Sequence, residues 1–92
     1  MSHFVYLVRA RDGSLYCGYA RDPQARVAVH NAGRGSRILR GKLPVRLVYV
    51  RRLASRSAAL KYEIVLKCRS HAYKAALSDR WCKKRVAART RA

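Results

Sequence analysis

Acidic side chains are the scarcest chemically useful groups of this 92-residue chain, which has 4 Asp and Glu against 22 Lys and Arg. Asp12 lies in a turn signal and Asp22 precedes a proline, where aspartate commonly has a structural role. Glu63 is the only glutamate and lies within an apolar stretch, four residues before Lys67. It is a candidate ligand for a divalent cation, because hard cations prefer oxygen. Alternatively, Glu63 and Lys67 form an exposed ion pair on a helix.

Two further pairs of residues could act on a phosphate or a water molecule. Arg26 and His30 are four residues apart, so they share one face of a predicted helix. An arginine fork binds phosphate, and a histidine positions or transfers a proton. Tyr6 and Tyr16 lie in two predicted strands, and a phenol serves as a base when a cation lowers its pKa. Taken alone, Arg26 and His30 are more typical of a surface arginine and a histidine with satisfied hydrogen bonds. Tyr6 and Tyr16 are equally typical of strand residues chosen for packing.

The turn between the two strands decides whether the tyrosines can cooperate. With a two-residue loop, Tyr6 would lie opposite Tyr19 and point away from Tyr16. With a three-residue loop at residues 11–13, Gly13 takes the left-handed conformation, and Tyr6 lies opposite Gly18. The two phenols then share a face of the sheet. We predict the three-residue loop.

The net charge of +18 points to a polyanionic partner. Basic residues occur along the whole chain, so the folded surface itself must be positive. Counterion release makes such a surface bind DNA or RNA. Charge alone is equally consistent with a ribosome-associated or general RNA-binding protein. A membrane surface is disfavoured, because no basic helix with a broad apolar face stands out.

The chain shows no sign of secretion or of a structural metal. Its 3 cysteines lack a C-x-x-C spacing, so we expect neither a zinc site nor a disulfide framework. The N-terminal sequence lacks a signal-peptide pattern, and no stretch is long and apolar enough for a membrane span. We therefore expect a cytoplasmic protein.

Hydrophobic patterning predicts an α+β fold in the order β-β-α-β-α-α, with a small three-stranded antiparallel sheet and flanking helices. Strands are expected at residues 3–10, 15–20 and 45–53, the last with one wet face. Asp22 and Pro23 open a helix that ends near Asn31, and Ser55 or Ser57 caps the next helix. Residues 32–44 are expected to be a loop. The last helix follows Ser70, and the end from Cys82 onward is expected to fray.

In order along the chain, these pieces resemble the GIY-YIG endonuclease superfamily, and most closely its short stand-alone bacterial members, the YhbQ-like, UPF0213-type group. The matching pieces are Phe4-Val5-Tyr6, Tyr16-Cys17-Gly18, Arg26-x-x-x-His30-Asn31, Gly33-x-Gly35, Pro44-Val45-x-Leu47-Val48-Tyr49 and Ala59-Leu60-x-x-Glu63. No single piece is specific, but six in order are. The resemblance implies a nuclease domain at residues 1–84, followed by a basic C-terminal tail at 85–92.

The resemblance also implies roles for individual residues. Tyr6, Tyr16, Arg26, His30 and Glu63 correspond to the family's catalytic positions, and Glu63 to its ligand for Mg²⁺ or Mn²⁺. Gly18 corresponds to the glycine that lets substrate or a neighbouring helix approach the strand. The chain departs from the family at Phe4, Val5, Cys17 and Leu39. The first three are packing changes, whereas Leu39 replaces a common threonine and puts a loop contact to substrate in doubt.

The resulting hypothesis is metal-dependent hydrolysis of DNA, which is favoured over RNA, with single-stranded or structured DNA preferred. In this mechanism Tyr6, helped by Tyr16 or His30, accepts a proton from water while Arg26 stabilises the phosphate. Basic side chains are expected to position the substrate backbone: Arg34, Arg37, Arg40, Lys42, Arg46, Arg51, Arg52 and Lys67. Trp81 or Tyr73 could stack on bases, although helix packing is favoured.

Two other hypotheses remain open from the sequence. One is a non-catalytic nucleic-acid-binding module on the same fold. The other is an interaction subunit of a larger repair or mobile-element enzyme. Since a chain of 92 residues leaves no room for a separate targeting domain, a protein partner or the shape of the substrate is expected to supply targeting.

Overall fold

The computed structural model describes the backbone of residues 2–91 and the side chains of residues 2–86. It has the predicted α+β architecture and element order. The strands and helices are β1 His3–Arg9, β2 Leu15–Ala20, α1 Pro23–Asn31, β3 Arg46–Leu53, α2 Arg56–Lys67 and α3 His71–Arg91. No helix among the described residues has the length and apolar character that a membrane crossing requires.

The sheet is antiparallel in the order β2-β1-β3, so β1 is central and β2 and β3 are its edges. Four consecutive residues of β1, residues 5–8, are buried because both faces of the sheet are covered. One core cluster contains Val5, Leu7 and Val48 and includes residues of α2. The other, on the opposite face, contains Tyr6, Val8 and residues of the segment after α1.

The third strand does not have the single wet face that its alternating sequence predicts. The register shifts between Leu7 and Val8, which pair with Tyr49 and Leu47 respectively. The extra residue, Val48, is therefore a bulge and is buried in the first core cluster. Leu47 is partly buried on the opposite face. The bulge thus lets the middle of β3 contribute to both cores.

Local capping signals define two helix starts as predicted. The Asp22 carboxylate accepts a hydrogen bond from the Ala25 amide at 3.1 Å, and Pro23 opens α1. Of the two serines considered for α2, Ser55 is the cap, since its hydroxyl accepts from the Ala58 amide at 3.1 Å.

The expectation of an irregular loop at residues 32–44 was wrong in part. Arg37–Lys42 forms a 3-10 helix, which begins where the Ser36 hydroxyl accepts from the Ile38 amide at 3.3 Å. Leu39 is 2% exposed and lies in the core, so it is a packing residue and not a loop contact to substrate. Leu39 is the buried side chain of this 3-10 helix and anchors it against the second core cluster.

The chain end also differs from the expectation of fraying from Cys82 onward. Helix α3 continues to Arg91, so residues 85–91 of the predicted basic tail extend this helix. The Cys82 side chain is half-buried against the first core cluster, which anchors this part of the helix on the sheet. Ala92 lies outside the described residues. The division of the chain into a domain and a tail stays a prediction.

Candidate active site

A cavity of about 560 Å³ lies at the β2 edge of the sheet and gathers all five residues predicted to be catalytic. Its lining combines side chains from β1, β2, α1, α2 and the segment that follows α1. The predicted residues in its wall are Tyr6, Tyr16, Gly18, Arg26, His30, Arg34 and Glu63. Positions 57 residues apart in the sequence, Tyr6 and Glu63, therefore share one cavity.

The hairpin turn has the predicted three-residue form. The Ala10 amide donates to the Ser14 carbonyl at 2.9 Å, which leaves residues 11–13 as the loop. Gly13 has φ of +87°, a left-handed conformation that costs glycine little. Tyr6 consequently pairs with Gly18, and Val8 pairs with Tyr16. Both phenols lie on the predicted common face.

Gly18 makes room for the Tyr6 ring, and its predicted role in the approach of substrate or a helix stays a prediction. A side-chain carbon at position 18 would collide with the phenol ring and hydroxyl of Tyr6. Because Tyr6 and Gly18 are paired directly across the two strands, only a glycine at position 18 leaves room for the Tyr6 ring. The glycine thus fixes the position of the phenol in the cavity.

His30 is 4% exposed and is held by contacts on both ring nitrogens. Its Nδ1 accepts a hydrogen bond from the Ser36 amide at 3.3 Å, and its Nε2 lies 3.1 Å from the Tyr6 hydroxyl oxygen. A neutral imidazole that accepts at Nδ1 carries its proton on Nε2. The network therefore assigns His30 as the donor and the Tyr6 oxygen as the acceptor. The Tyr16 ring meets the imidazole edge-on, with ring centroids 5.8 Å apart.

Electrostatics keep both partners of this pair neutral near pH 7. Burial raises the pKa of Tyr6 to about 12, helped by Tyr16 and opposed by the positive charge of Arg26. Burial and, secondarily, Arg26 lower the pKa of His30 below its ordinary value of 6.5. Arg26 lines the same cavity wall, and its positive charge acts on both groups. An added positive charge in the cavity would favour the Tyr6 phenolate further.

Glu63 projects from α2 into the cavity with its side chain 16% exposed. Its carboxylate also lies 3.5 Å from the Lys67 ammonium, which is the ion pair considered as an alternative. The two interpretations are compatible, because the carboxylate has lone pairs for more than one partner. Among the described residues, no group of three or more His, Cys, Asp or Glu could hold a metal. A cation bound in this cavity would have Glu63 as its acidic ligand among the described residues.

Several predicted basic contacts lie outside the cavity wall. Arg37 and Arg40 are exposed on the 3-10 helix, and Arg46 is exposed at the start of β3. Lys42 pairs with Asp12 at 3.4 Å, on the side of the hairpin turn. Four basic residues were predicted to bind nucleic acid from the segment after α1. Of these, only Arg34 lines the cavity. The binding role of the outer residues stays a prediction.

Three residues that shape the site are not among the predicted functional residues. The Ser36 amide orients His30, and a side-chain carbon at Gly35 would collide with the imidazole. The Asn31 side chain accepts from the Val45 amide at 2.7 Å and donates to its carbonyl at 3.1 Å, which ties the end of α1 to the approach to β3. The Gly33-x-Gly35 spacing was the available signal, since a second glycine indicates close packing.

Comparison with known proteins gives the family. The GIY-YIG catalytic domain family matches residues 2–75. UPF0213 protein SAV0488 of Staphylococcus aureus (strain Mu50) is 50% identical over 66 residues, which are 72% of this chain and 80% of the relative. Its name states no activity or substrate.

Two solution NMR structures are similar in fold. UPF0213 protein BH0048 from Bacillus halodurans has a TM-score of 0.54 and 35% identity, covering 86% of this chain and 84% of its own. Protein EF2693 from E. faecalis has a TM-score of 0.56 and 33% identity, covering 80% and 79%. The GIY-YIG domain is a nuclease fold, which implies a nucleic-acid substrate. On the family match and the level of identity, this chain belongs to the GIY-YIG family.

Proposed function

We propose that this protein is a divalent-metal-dependent endonuclease that hydrolyses phosphodiester bonds in DNA, with single-stranded or structured DNA preferred. One observation carries the proposal: the hydrogen-bonded Tyr6–His30 pair, Arg26 and the Glu63 carboxylate share one basic cavity. Such a set contains a cation ligand, a phosphate-binding group and a proton-transfer group, which are the parts that phosphodiester hydrolysis needs.

The residues present fit Mg²⁺ or Mn²⁺. Mg²⁺ keeps several water ligands and often takes one or two carboxylates together with substrate phosphate. Glu63 is partly shielded yet faces a cavity large enough for water and a phosphate. When bound, the cation supplies positive charge that stabilises the transition-state phosphate and the leaving 3′-oxygen. Glu63 would hold it, and the phenol oxygens of Tyr6 and Tyr16 line the same wall.

The remaining roles follow from the hydrogen-bond network. Tyr6 must first release its own proton to solvent, which positive charge in the cavity favours, and its phenolate then accepts a proton from the attacking water while Arg26 binds the phosphate. His30 is a positioning residue, because its Nε2–H already donates to Tyr6 and its Nδ1 already accepts from Ser36. That donation stabilises the phenolate, since a hydrogen bond to the charged form lowers a pKa. Tyr16 packs against the imidazole and holds its plane.

A cleavage panel tests the proposal. Single-stranded, duplex, flap and junction DNA and a single-stranded RNA are incubated with the protein, with and without Mn²⁺. We expect Mn²⁺-dependent cuts in DNA, strongest for single strands or branches, and none with Glu63→Gln. The matched control is Asp79→Asn, the same change at an exposed carboxylate of α3 outside the cavity wall. Cleavage that survives Glu63→Gln would remove Glu63 from the mechanism.

The Glu63–Lys67 ion pair favours a second candidate, a non-catalytic binding module. In that case Lys67 permanently satisfies the carboxylate, and the basic surface only binds nucleic acid. The two functions separate in one measurement. A nuclease loses cleavage and keeps DNA affinity in Glu63→Gln, whereas a binding module shows no wild-type cleavage of any substrate with either cation.

A further inference from the structure

A second cavity of about 560 Å³ lies on the other side of α1 from the candidate active site. Arg26 and His30 of α1 face the active-site cavity, whereas Gln24 of the same helix faces this one. We call it the Trp81 groove. Its wall includes apolar, aromatic and basic side chains: Phe4, Arg21, Val50, Arg52, Trp81 and Arg85.

Trp81 is the only tryptophan of the chain, and it lines a cavity together with Leu47 and Val50. Neither core cluster of the described residues includes it, although its helix neighbours Leu77 and Cys82 pack against the first cluster. It is half-buried and lines two smaller adjoining cavities of about 280 and 200 Å³. A large aromatic side chain thus borders open space on several sides.

The charge around the groove is complementary to an anion. Arg21, Arg52 and Arg85 line it with a single acidic residue, Asp22. Asp22 already accepts the Ala25 amide as the cap of α1. The Arg85 guanidinium lies over the Trp81 ring, 4.6 Å from its centroid, in a cation–π contact.

We propose that the Trp81 groove binds single-stranded nucleic acid, with one unpaired base against the Trp81 indole and the adjacent phosphates on Arg52 and Arg85. An aromatic ring beside arginines is the combination that single strands require, because every base offers a flat face and every linkage a charge. The choice of nucleic acid over an acidic peptide rests on the proposed function. A peptide would satisfy the arginines but has no obligatory planar group for the indole.

The groove gives the active site a reason to prefer one kind of substrate. Helix α1 separates the two cavities, and its side chains line both. A strand that occupies both must cross α1, which a flexible single strand does more readily than a stiff duplex. Single-strand preference then comes from a binding site outside the catalytic residues.

The fluorescence of Trp81 reports directly on binding in the groove, because Trp81 is the only tryptophan in the chain. The Glu63→Gln protein, without divalent cation, is titrated with oligothymidylate and oligouridylate of about ten nucleotides. A hairpin duplex with the same number of phosphates is the comparison. We expect both single strands to quench the tryptophan fluorescence in a saturable way and the duplex to quench it little. Unequal affinities of the two single strands would tell whether DNA or RNA is the better ligand.

Variants separate stacking from general charge. In the same background, followed by fluorescence anisotropy of labelled oligothymidylate, Trp81→Leu should weaken binding by about tenfold. Tyr73→Leu is the matched control, since Tyr73 is also on α3 under an arginine, Arg69 at 5.2 Å, but lines none of the four described cavities. Arg52→Gln, at an exposed position, should reduce the slope of log affinity against log salt by about one.

An unchanged tryptophan signal at saturating oligothymidylate, or equal losses in Trp81→Leu and Tyr73→Leu, would overturn the groove. Saturable quenching by a polyglutamate peptide with the affinity of the oligonucleotide would overturn the nucleic-acid assignment. If Trp81→Leu fails to fold, the quenching and the Arg52→Gln slope still decide. If the wild type cleaves DNA but its Trp81 fluorescence does not change on binding, the groove alone is refuted. If Trp81→Leu loses single-strand binding but the wild type cleaves no substrate, the nuclease proposal alone is refuted.

Discussion

The His30 Nε2–H donates a hydrogen bond to the Tyr6 phenol oxygen at 3.1 Å, because the Ser36 amide occupies the other imidazole nitrogen. Both side chains are buried. The direction of this bond leaves the Tyr6 hydroxyl proton free to point into the cavity. It also makes His30 a stabiliser of the Tyr6 phenolate and not a free base.

Removal of the Tyr6 hydroxyl is expected to abolish most cleavage while the fold persists. Tyr6→Phe keeps the buried ring but removes the proton acceptor, so we expect kcat to fall by roughly 10²- to 10⁴-fold. The unpaired His30 N–H should lower the free energy of unfolding by about 1–3 kcal/mol. Single-turnover cleavage assays and urea denaturation measure the two effects.

The control for that substitution is Tyr49→Phe. Tyr49 and Tyr62 share a hydrogen bond of 2.8 Å, and neither lines the active-site cavity. This variant removes the same hydroxyl from a comparable pair, so it should lose stability and keep its cleavage rate. A rate loss in Tyr49→Phe equal to that of Tyr6→Phe would mean that the rate reports stability and not chemistry.

His30 is expected to make the protein less stable in acid. Its pKa in the folded state is lowered from 6.5, so the unfolded chain binds the proton first as pH falls. The stabilisation by neutral His30 is complete above about pH 6.5 and declines as pH falls towards the folded pKa. Urea denaturation at several pH values, for the wild type and His30→Gln, measures the contribution. The stability difference between the two proteins should shrink in acid, since only the wild type has the His30 imidazole, whose protonation opposes folding. A difference that is constant or grows in acid would contradict the assignment.

Glycine substitutions are expected to separate two close-packed positions from an open one. At Gly18 a methyl group would meet the Tyr6 ring, and at Gly35 it would meet His30. We expect Gly18→Ala and Gly35→Ala to lower the free energy of unfolding by about 1–3 kcal/mol and to reduce cleavage by displacing the pair. Gly41→Ala is the control, because nothing lies within 4 Å of its added carbon. Equal thermal stability of all three variants would show that neither ring depends on its glycine.

Local signals in the sequence were sufficient for the frame of the site. Asp22-Pro23 started α1 where predicted, and the left-handed Gly13 set the register that brings Tyr6 and Tyr16 to one face. Such features depend on a few neighbouring residues, so a sequence displays them directly.

Features that depend on distant contacts could not be read in the same way. The tautomer of His30 follows from a backbone amide on a segment that Leu39 anchors in the core. The burial of Val48 follows from a bulge in the pairing with β1. The open environment of Trp81 depends on where α3 crosses the sheet. Tertiary packing determines each of these features, so no local sequence pattern predicts them.

Lys67 is expected to compete with the metal ion for Glu63. Its ammonium lies 3.5 Å from the carboxylate and is about half exposed. Because the ammonium repels a divalent cation and occupies a lone pair, Lys67→Met should tighten Mn²⁺ binding by about two- to fivefold, as suits an exposed pair. Electron paramagnetic resonance of free Mn²⁺, without nucleic acid, gives the affinity directly. Lys61→Met is the matched control, since Lys61 is exposed on the same helix and lines none of the described cavities. If Lys67→Met binds Mn²⁺ no more tightly than Lys61→Met does, Lys67 does not compete with the metal ion for Glu63.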